Sequence, residues 1–424
     1  MAITNGPLKG IRILDLTQAH AGPFGTMLLG DLGSEVIKIE PPKGEMMRGG
    51  DPVVSPNQAY MIGLNRNKKC IVLDLKGKLG KKAFYDLVKT ADVVYTNNRV
   101  DVAERIGTDY ETLKKINPGI IRCNISGYGE TGPYIGYPSF DIIACGHGGM
   151  LSISGEPDRE PVIPGGIAIA DMMGGIFCTM SVLAALVRRC NTGKGMKIDV
   201  NLIDGLLVMQ QVLFQRYFQT GVEPGPQGQK DPLNPGIGIY NTKEGCMTLN
   251  SPNLTKLLKL IGLDSKLNDE SYHTPESRKI NKDSLNKLIE EALMKKTAKD
   301  WIKYLRDEHG IACGPILSLA ELVEDPQGIF NKMILEMNLK GEKYNTIGSC
   351  FRLRNDKDLI EGYPEPPGNL GEHTEEVLAK LLRYTKEQVA QIINESTGNN
   401  IEGKTTSKIT LVYENQLNGK DEKT

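Results

Sequence analysis

The sequence contains little that would direct the protein to nucleic acid, to a metal or to the secretory route. Lys and Arg total 51 against 52 Asp and Glu, so no global basic field favours nucleic acid or an anionic membrane. The eight cysteines are far apart and form no Cys-x-x-Cys pair or Cys/His cluster, which predicts neither a disulfide framework nor a zinc site. Reduced cysteines are typical of the cytoplasm, and this is the predicted location.

Targeting and membrane signals are also missing. Residues 1–10 lack the apolar core of a signal peptide. No uninterrupted apolar run approaches the ~18 residues that mark a membrane span, so we expect no contact with a membrane. What is present, 39% hydrophobic and 24% charged residues in a chain of 424, is typical of a globular protein with two or three domains.

The first half of the chain alternates strand-like and helix-like segments. Apolar, strand-like runs occur at 11–16, 36–40, 70–75, 91–95, 120–125 and 196–200. Such alternation predicts an α/β fold, with a doubly wound, Rossmann-like parallel sheet in the large domain. The glycines after the first run, at 22, 25, 30 and 33, do not fit G-x-G-x-x-G, which disfavours a nicotinamide site.

Composition and pattern also predict the domain bounds. Residues 1–220 are assigned to the N-terminal part of the large domain, and 220–235, rich in Gly, Pro and Gln, to a linker. Residues 221–335 contain a predicted hairpin and helices and are assigned to a smaller α+β domain. Residues 336–394 return to strand-like and helical patterns and are predicted to rejoin the large domain. The polar residues 395–424 are predicted to form a loosely held tail.

One acidic residue, Asp171, stands among the glycines and small apolar residues of 164–175, and the segment 176–187 is almost entirely apolar. Asp171 is therefore expected at or near the start of a buried helix, where free N–H groups and the positive helix end keep it ionised. An ionised, unshielded carboxylate can act as a covalent nucleophile. The alternative, which the residues alone favour, is an ordinary N-cap aspartate.

Basic residues cluster before the third predicted strand, at Arg66, Lys68 and Lys69. One interpretation is a solvated turn, and the other is a cationic lip that binds phosphates. The position of the cluster in the chain does not decide between them.

Six groups of residues stand in a characteristic order between residue 8 and about residue 390. They are LKGIRILDL at 8–16 with AGP at 21–23, GSEVIKIE at 33–40, SGYG at 126–129 with GP at 132–133, TGKG at 192–195, GIACGP at 310–315 and GEHTE at 371–375. In order and spacing these groups resemble the class III CoA-transferases, also called the CaiB/BaiF family. The resemblance implies two domains joined by long linkers, a large domain built from both ends of the chain, and two chains threaded into an interlocked homodimer.

The resemblance also implies an activity and a site. Asp171 falls at the position of the family's catalytic aspartate, so the expected activity is CoA transfer from an acyl-CoA to a carboxylic acid through anhydride and thioester intermediates on Asp171. CoA is then a substrate, and no permanently bound cofactor or metal is implied. The positions that match CoA contacts are His20, Ala21, Leu73, Lys76, Asn97 and Arg105. Lys76 and Arg105 would meet phosphates, and Leu73 and Asn97 would line the nucleotide side; an ordinary surface role is the alternative for each.

The chain departs from the formyl-CoA:oxalate transferases in two places. His20 replaces their glutamine, and their glycine run is absent from 234–240. The preceding Lys230-Asp231-Pro232 looks more like the carnitine-type transferases. These departures disfavour oxalate as the acceptor.

Two other functions remain open. The α-methylacyl-CoA racemases share the family's fold and use the aspartate with a histidine in Gly-His-Asp-Ile-Asn-Tyr, where this chain has Phe140 before Asp141. Phenylalanine cannot exchange protons, so racemisation would lack its second base unless His147 approached the site. A catalytically silent CoA-binding protein is the other alternative, and an intact Asp171 disfavours it.

Overall fold

The computed structural model describes residues 6–49, 58–163, 165–226, 228–339, 342–354, 359–360 and 364–397. These described residues form two compact units, one within 6–149, 165–211 and 330–397 and the other within 150–163 and 212–329. Residues 150–163 and 212–220, predicted to lie in the large domain, belong to the second unit, and 330–335, predicted to lie in the smaller domain, belong to the first. The arrangement of domains along the chain otherwise stays a prediction.

The N-terminal part of the first unit alternates strands with helices as predicted. Its elements are β1 Arg12–Asp15, α1 Ala21–Asp31, β2 Glu35–Glu40, α2 Gln58–Asn65, β3 Lys68–Val72, α3 Lys78–Val88, β4 Val93–Thr96, α4 Val100–Ile106, α5 Tyr110–Ile116, β5 Ile121–Ser126, α6 Asp141–His147, α7 Ile169–Thr192, β6 Met196–Asn201 and α8 Leu202–Met209. The next helix, α9 Gln211–Thr220, lies almost entirely in the second unit. All six strands form one parallel sheet in the order β3-β2-β1-β4-β5-β6. The predicted mixed α/β fold with a parallel sheet is confirmed.

The strands of this sheet are buried, as is usual for parallel sheets, whose crossover helices cover both faces. Leu14 of β1 lies opposite Ile37 of β2 and Val94 of β4, and all three side chains are fully buried. The strand order reverses direction between β1 and β4, and open α/β sheets bind ligands at the carboxyl ends of the strands at such a point.

The middle of the chain contains a small antiparallel sheet and short helices. Its elements are β7 Ile237–Asn241, β8 Cys246–Asn250, α10 Leu254–Leu260, α11 Pro275–Ile280, α12 Lys282–Leu293, α13 Ala298–Ile302, β9 Ala312–Pro315, α14 Leu319–Val323 and α15 Pro326–Phe330. The predicted hairpin is present as β7 and β8, and β9 adds on the other side of β8. Trp301 is buried in the core of this unit and donates a hydrogen bond from Nε1 to the Leu293 carbonyl at 2.7 Å.

The C-terminal part returns to the first unit. Its elements are β10 Ile334–Leu339, β11 Glu342–Ile347, β12 Leu353–Arg354, β13 Leu359–Ile360, α16 Thr374–Leu382 and α17 Lys386–Thr397. At the free edge of β3, the Cys70 and Val72 amides donate to His373 Nδ1 and Thr374 Oγ1. The GEHTE motif thus satisfies the unpaired edge of the sheet.

The predicted tail begins too early at residue 395. Glu395 belongs to α17, and its Oε2 accepts hydrogen bonds from the Leu79 and Gly80 amides at 2.9 Å each. The two amides lie in the first turn of α3 and have no acceptor within that helix, so they bind the Glu395 carboxylate and fix its position. Residues 398–424, the rest of the predicted tail, lie outside the described residues.

Two helix bounds depart from the simple sequence pattern. Pro23 lies inside the first turn of α1, which already begins at Ala21. The residues 202–218, whose apolar spacing suits one continuous helix, belong to two helices that meet at Gln210. The side chain of Gln210 is buried and donates to the Gly148 and Leu206 carbonyls at 2.7 and 3.0 Å, which anchors the junction.

The helix α7 passes through the first unit at close range. A Cβ on Gly174 would lie 2.6 Å from Ile125 Cδ1, and one on Gly175 would lie 2.8 Å from the Ala21 carbonyl oxygen. By length and composition α7 could also cross a membrane, with a mean hydropathy of 1.7 over 18 residues, although no long uninterrupted apolar run is present. Of that window, 44% is buried inside the protein.

Candidate active site

A cleft of about 370 Å³ opens at the carboxyl end of the parallel sheet, at the point where the strand order reverses. Its wall is formed by the loops after β1, β4 and β5, by residues 136–140 before α6, and by the first turn of α7. Four of the predicted site residues meet there: His20, Ala21, Asn97 and Asp171. Four of the seven predicted site residues, far apart in the sequence, thus line one cavity.

The loop after β1 is held in a strained conformation by two side chains. Ala19 has φ of 64°, which an alanine rarely adopts. Glu45 Oε2 accepts a hydrogen bond from the Ala19 amide at 3.1 Å. Asn97 accepts from the Gln18 amide at 3.0 Å and donates to the Gln18 carbonyl at 2.7 Å. Asn97 therefore positions this loop on the Asp171 cleft.

His20 precedes α1 in this loop. Its ring lies edge-on to Tyr60 with centroids 5.5 Å apart. Partial burial lowers the pKa of His20, and the nearby Asp141 carboxylate opposes that effect only in part. A neutral imidazole at this position can donate one hydrogen bond from one ring nitrogen and accept one at the other.

Asp171 lies in the first turn of α7 but does not cap it. The helix begins after Ala168, and the acceptor at its N-terminus is Asp141, from the start of α6. Asp141 Oδ1 accepts from the Ala170 and Asp171 amides at 2.7 and 3.1 Å. The N-cap interpretation of Asp171 is therefore wrong, and Asp141 has that role from a distance of 30 residues in sequence.

This arrangement leaves the Asp171 carboxylate without a hydrogen-bond donor from any described residue. Burial and the repulsion of Asp141 together raise the pKa of Asp171 to about 7. The expectation that the helix end would hold Asp171 fully ionised is also wrong, because Asp141 occupies the free amides. Asp171 is a half-buried acid that titrates near neutral pH.

A second, smaller cavity of about 190 Å³ adjoins the cleft and shares Gln18, Asn98 and Val102 with it. Leu73 and Lys76, two of the predicted CoA contacts, line this cavity. Arg105 is exposed on α4 and lines neither cavity, although its neighbour Ile106 lines the second. The predicted residues therefore divide between a cleft with the acid and an adjoining cavity near two exposed cations.

The basic cluster at 66–69 does not form a cationic lip. Arg66 forms a buried ion pair with Asp31 at 2.5 Å, and Lys68 Nζ lies 3.0 Å from Asp15 Oδ2 with both side chains fully buried. Lys69 is partly exposed and pairs with Glu35 and Glu376. These cations neutralise acids of the first unit.

Of the two residues on which the racemase alternative depends, Phe140 lines the cleft and His147 does not. Phe140 lines the cleft and is 62% exposed. His147 does not line the cleft; its ring lies against Tyr128 and Tyr134, with centroids 5.3 and 5.2 Å away. Among the described residues that line the cleft, His20 is the only histidine. Across all of the described residues, no group of three or more His, Cys, Asp or Glu is arranged to hold a metal.

Sequence reasoning missed three polar residues of the site. Glu45 and Asp141 act through backbone amides of other segments, and Asn124 is a fully buried amide that lines the cleft. Only Asp141 had a signal, since it follows Phe140 in the motif compared with the racemases. Glu45 and Asn124 have no local pattern that distinguishes them from ordinary polar residues.

Fold and site together define a doubly wound α/β protein with an unpaired acid in a cleft at the carboxyl end of its sheet. The model of CoA-transferase family III matches residues 8–374. The chain belongs to this family and is an enzyme of the class III CoA-transferase type, whose substrates are CoA thioesters.

Similar proteins agree with that assignment. The succinyl-CoA:glutarate CoA-transferase of Mus musculus is 33% identical over 393 residues, covering 91% of this chain and 89% of the relative. The acetyl-CoA:oxalate CoA-transferase of Acetobacter aceti is 35% identical over 335 residues, covering 78% and 86%. The crystal structure of a CaiB/BaiF family protein from Brucella suis matches with a TM-score of 0.79 at 32% identity, covering 89% of this chain and 100% of the other.

Proposed function

We propose that the protein transfers CoA from an acyl-CoA to a carboxylic acid through covalent intermediates on Asp171. The observation that supports this most is the Asp171 carboxylate, which lies in the cleft without a hydrogen-bond donor from any described residue. A carboxylate that is not stabilised by donors is a better nucleophile than one at a helix cap. Asp141 keeps the Asp171 carboxylate without donors, because Asp141 itself accepts the hydrogen bonds from the first amides of the helix.

The first half-reaction begins when an Asp171 oxygen attacks the thioester carbonyl carbon of the donor. The tetrahedral oxyanion needs N–H donors, and backbone amides of the glycine-containing loops at 127–129 and 136–139 are candidates for this role. Collapse expels the CoA thiolate and leaves a mixed anhydride. The thiolate then attacks the aspartyl carbonyl carbon, which releases the donor acid and leaves Asp171 as a thioester of CoA.

The second half-reaction is the reverse with another acid. The acceptor carboxylate attacks the aspartyl thioester, expels the thiolate and forms a new mixed anhydride. The thiolate attacks the acceptor's acyl carbon, which forms the product acyl-CoA and restores the Asp171 carboxylate. One thioester and one carboxylate replace another such pair, so the exchange needs no ATP and no change in oxidation state.

Within this proposal the two cavities divide the CoA molecule between them. The thioester end occupies the cleft beside Asp171, and the nucleotide end occupies the second cavity, where Leu73 and Lys76 lie. In this proposal the phosphates are bound by two exposed cations: Lys76, which lines this cavity, and Arg105, whose neighbour Ile106 lines it. His20 and Ala21 contact the thioester end, and Asn97 holds their loop.

The racemase alternative makes a different prediction with the same substrates. Racemisation needs a base on each face of the α-carbon, whereas Phe140 stands where the racemases have a histidine. In deuterated water with a 2-methylacyl-CoA and an acid acceptor, we expect CoA to move to the acceptor with no deuterium at the α-carbon. Rapid deuterium uptake without CoA transfer would establish the racemase function instead, with His20 as the candidate second base.

The donor and acceptor acids can be identified by measuring the exchange of CoA between them. Curated relatives are named for succinyl-CoA and glutarate and for acetyl-CoA and oxalate, which makes short dicarboxylic acids the first group to test. His20 and the missing glycine run disfavour oxalate itself. Each donor is mixed with isotopically labelled acids, and CoA exchange is followed by mass. The silent-binding alternative expects no exchange with any pair, and the transferase expects exchange with at least one.

We also propose an interlocked homodimer in the cytoplasm. Exposed apolar side chains on the described helices α7 and α8 support a partner surface: Met180, Val187 and Val208. A second copy that covers them also explains why α7 is apolar beyond its buried face. Sedimentation should show a dimer down to nanomolar concentration, because separation requires one chain to be threaded out of the other. A stable, active monomer would contradict this.

A further inference from the structure

Asn124 is a buried polar side chain of the cleft to which the proposed reaction gives no role. It lies near the carboxyl end of β5, is 0% exposed, and lines the same cavity as Asp171. Its register partner on β4 is Thr96, whose Oγ1 donates a hydrogen bond to Asn124 Oδ1 at 2.6 Å. This hydrogen bond from Thr96 occupies the amide oxygen of Asn124 and leaves the amide nitrogen, Nδ2, for another partner.

Asn124 Nδ2 has no hydrogen-bond acceptor among the described residues. Buried N–H groups in folded proteins nearly always have a partner, and leaving one unpaired is unfavourable. Since Asn124 is one of the residues that line the cleft, a ligand that enters the cleft can supply the missing acceptor. The two observations, full burial and an unpaired donor, point to a contact with the ligand.

The geometry limits which part of the ligand this is. Ile125, the next residue, faces α7, because a Cβ on Gly174 would lie 2.6 Å from its Cδ1. Side chains alternate along a strand, so Asn124 faces the other side of the sheet from α7, away from the helix that holds Asp171. Nδ2 is therefore directed at a part of the ligand other than the reacting carbonyl group.

The chemistry of the donor limits it further. An uncharged, fully buried amide suits an uncharged acceptor, since a phosphate or carboxylate there would be left without a neutralising partner. The cation that lines the cleft, Arg99, is exposed and pairs with Asp101. Between its phosphates and its sulfur, CoA has a narrow pantetheine arm with two amide carbonyl groups, and this arm must pass between the two cavities to reach Asp171.

We propose that Asn124 Nδ2 donates a hydrogen bond to an amide carbonyl oxygen of the pantetheine arm of CoA, with Thr96 as the residue that positions it. This inference rests on the proposed function, since it takes CoA to be the molecule in the cleft. Asn124 would then bind the substrate and keep the thioester at the right depth, without contacting the reacting atoms.

The test compares two ligands on four proteins by calorimetry: the wild type, Asn124→Ala, Asn124→Asp and Thr96→Val. CoA contains the pantetheine arm, and adenosine 3′,5′-bisphosphate contains only the nucleotide end. Asn124→Ala should weaken CoA binding by about tenfold and leave binding of the bisphosphate unchanged. Asn124→Asp, which is nearly the same size but presents an acceptor to the carbonyl oxygen, should weaken CoA binding at least as much.

Each outcome bears on one claim. If the wild-type protein binds neither ligand, the proposed function fails before the inference is reached. If it binds both and Asn124→Ala weakens both equally, or leaves CoA binding unchanged, the pantetheine contact is wrong. A fall in kcat with unchanged CoA affinity would place the amide at the reacting carbonyl, which also overturns the inference. Thr96→Val, which frees Oδ1, should give a smaller loss of CoA affinity than Asn124→Ala does.

Discussion

Asp15 and Asp171 belong to the same unit and differ in almost every interaction. Asp15 ends β1 and is 0% exposed, and it accepts hydrogen bonds from Thr17 Oγ1, Thr26 Oγ1 and Lys68 Nζ at 2.6, 2.7 and 3.0 Å. Its pKa is lowered to about 2, although burial alone would raise it, because Lys68, Lys38 and the two hydroxyls favour the charged form. Asp171 has none of these partners, and its pKa is raised to about 7 by burial and Asp141.

This difference separates a structural acid from a reactive one. An aspartate surrounded by donors is stable as an anion and has little tendency to attack a carbonyl carbon. An aspartate denied donors is destabilised as an anion, which favours reaction with an electrophile. The protein therefore gains stability at Asp15 and loses some at Asp171, where we place the chemistry.

The largest expected effect is on activity. Asp171→Ala should reduce CoA exchange by at least about 10³-fold, because the covalent route loses its nucleophile. CoA affinity should stay within a few fold of wild type, since the proposed CoA contacts lie on other residues. Wild-type turnover in freshly purified Asp171→Ala would contradict the assignment, and Asp15→Asn, assayed while folded, is the matched control that should keep the exchange.

The next effect is on stability. Asp15→Asn should lower the free energy of unfolding at pH 7 by about 3 kcal/mol, because it leaves Lys68 buried with its counter-charge removed. Since the pKa of Asp15 is lowered, its contribution is present above its ordinary value of 3.8 and is lost as pH falls toward 2. The stability gap between wild type and Asp15→Asn, measured by denaturant titration, should therefore narrow between pH 4 and pH 2. A gap that does not change with pH would contradict this.

A smaller effect of opposite sign is expected at Asp171. Its pKa is raised in the folded protein, so ionising it costs stability as pH rises from about 4 through about 7. Asp171→Asn should therefore raise the free energy of unfolding at pH 8 by about 1 to 2 kcal/mol and have less effect at pH 4. Fresh protein is needed, because slow deamidation would restore the aspartate. A loss of stability at pH 8 would mean that Asp171 has donors like those of Asp15.

The smallest effect is a shift in the pH profile. Asp141→Asn keeps an oxygen that can accept the Ala170 and Asp171 amides but removes the charge that repels Asp171. The pKa of Asp171 should fall, and the midpoint of the rise in kcat/KM with pH should move to lower pH. An unchanged midpoint would mean that burial alone raises the pKa.

The sequence predicted the sheet better than it predicted the site. All six strands of the parallel sheet were predicted because buried parallel strands are continuous apolar runs. Asp171 was noticed because glycines and an apolar segment surround it, but the residues alone favoured an N-cap, and its assignment as the nucleophile came from the family resemblance. The partners of these groups were not predictable from local pattern. Asp141 accepts hydrogen bonds from the α7 amides although it belongs to another helix. The sequence around Arg66 and Lys68 resembles a solvated turn, and only the structure shows that these cations pair with buried acids.

The most direct test of the account is to trap the intermediate. The protein is mixed with an acyl-CoA without acceptor acid, digested, and analysed by mass before and after treatment with hydroxylamine. We expect CoA attached to the peptide that contains Asp171, and its replacement by a hydroxamate at that residue. CoA bound to another residue, or exchange between acids that proceeds while Asp171 stays unmodified, would contradict the central role of this carboxylate.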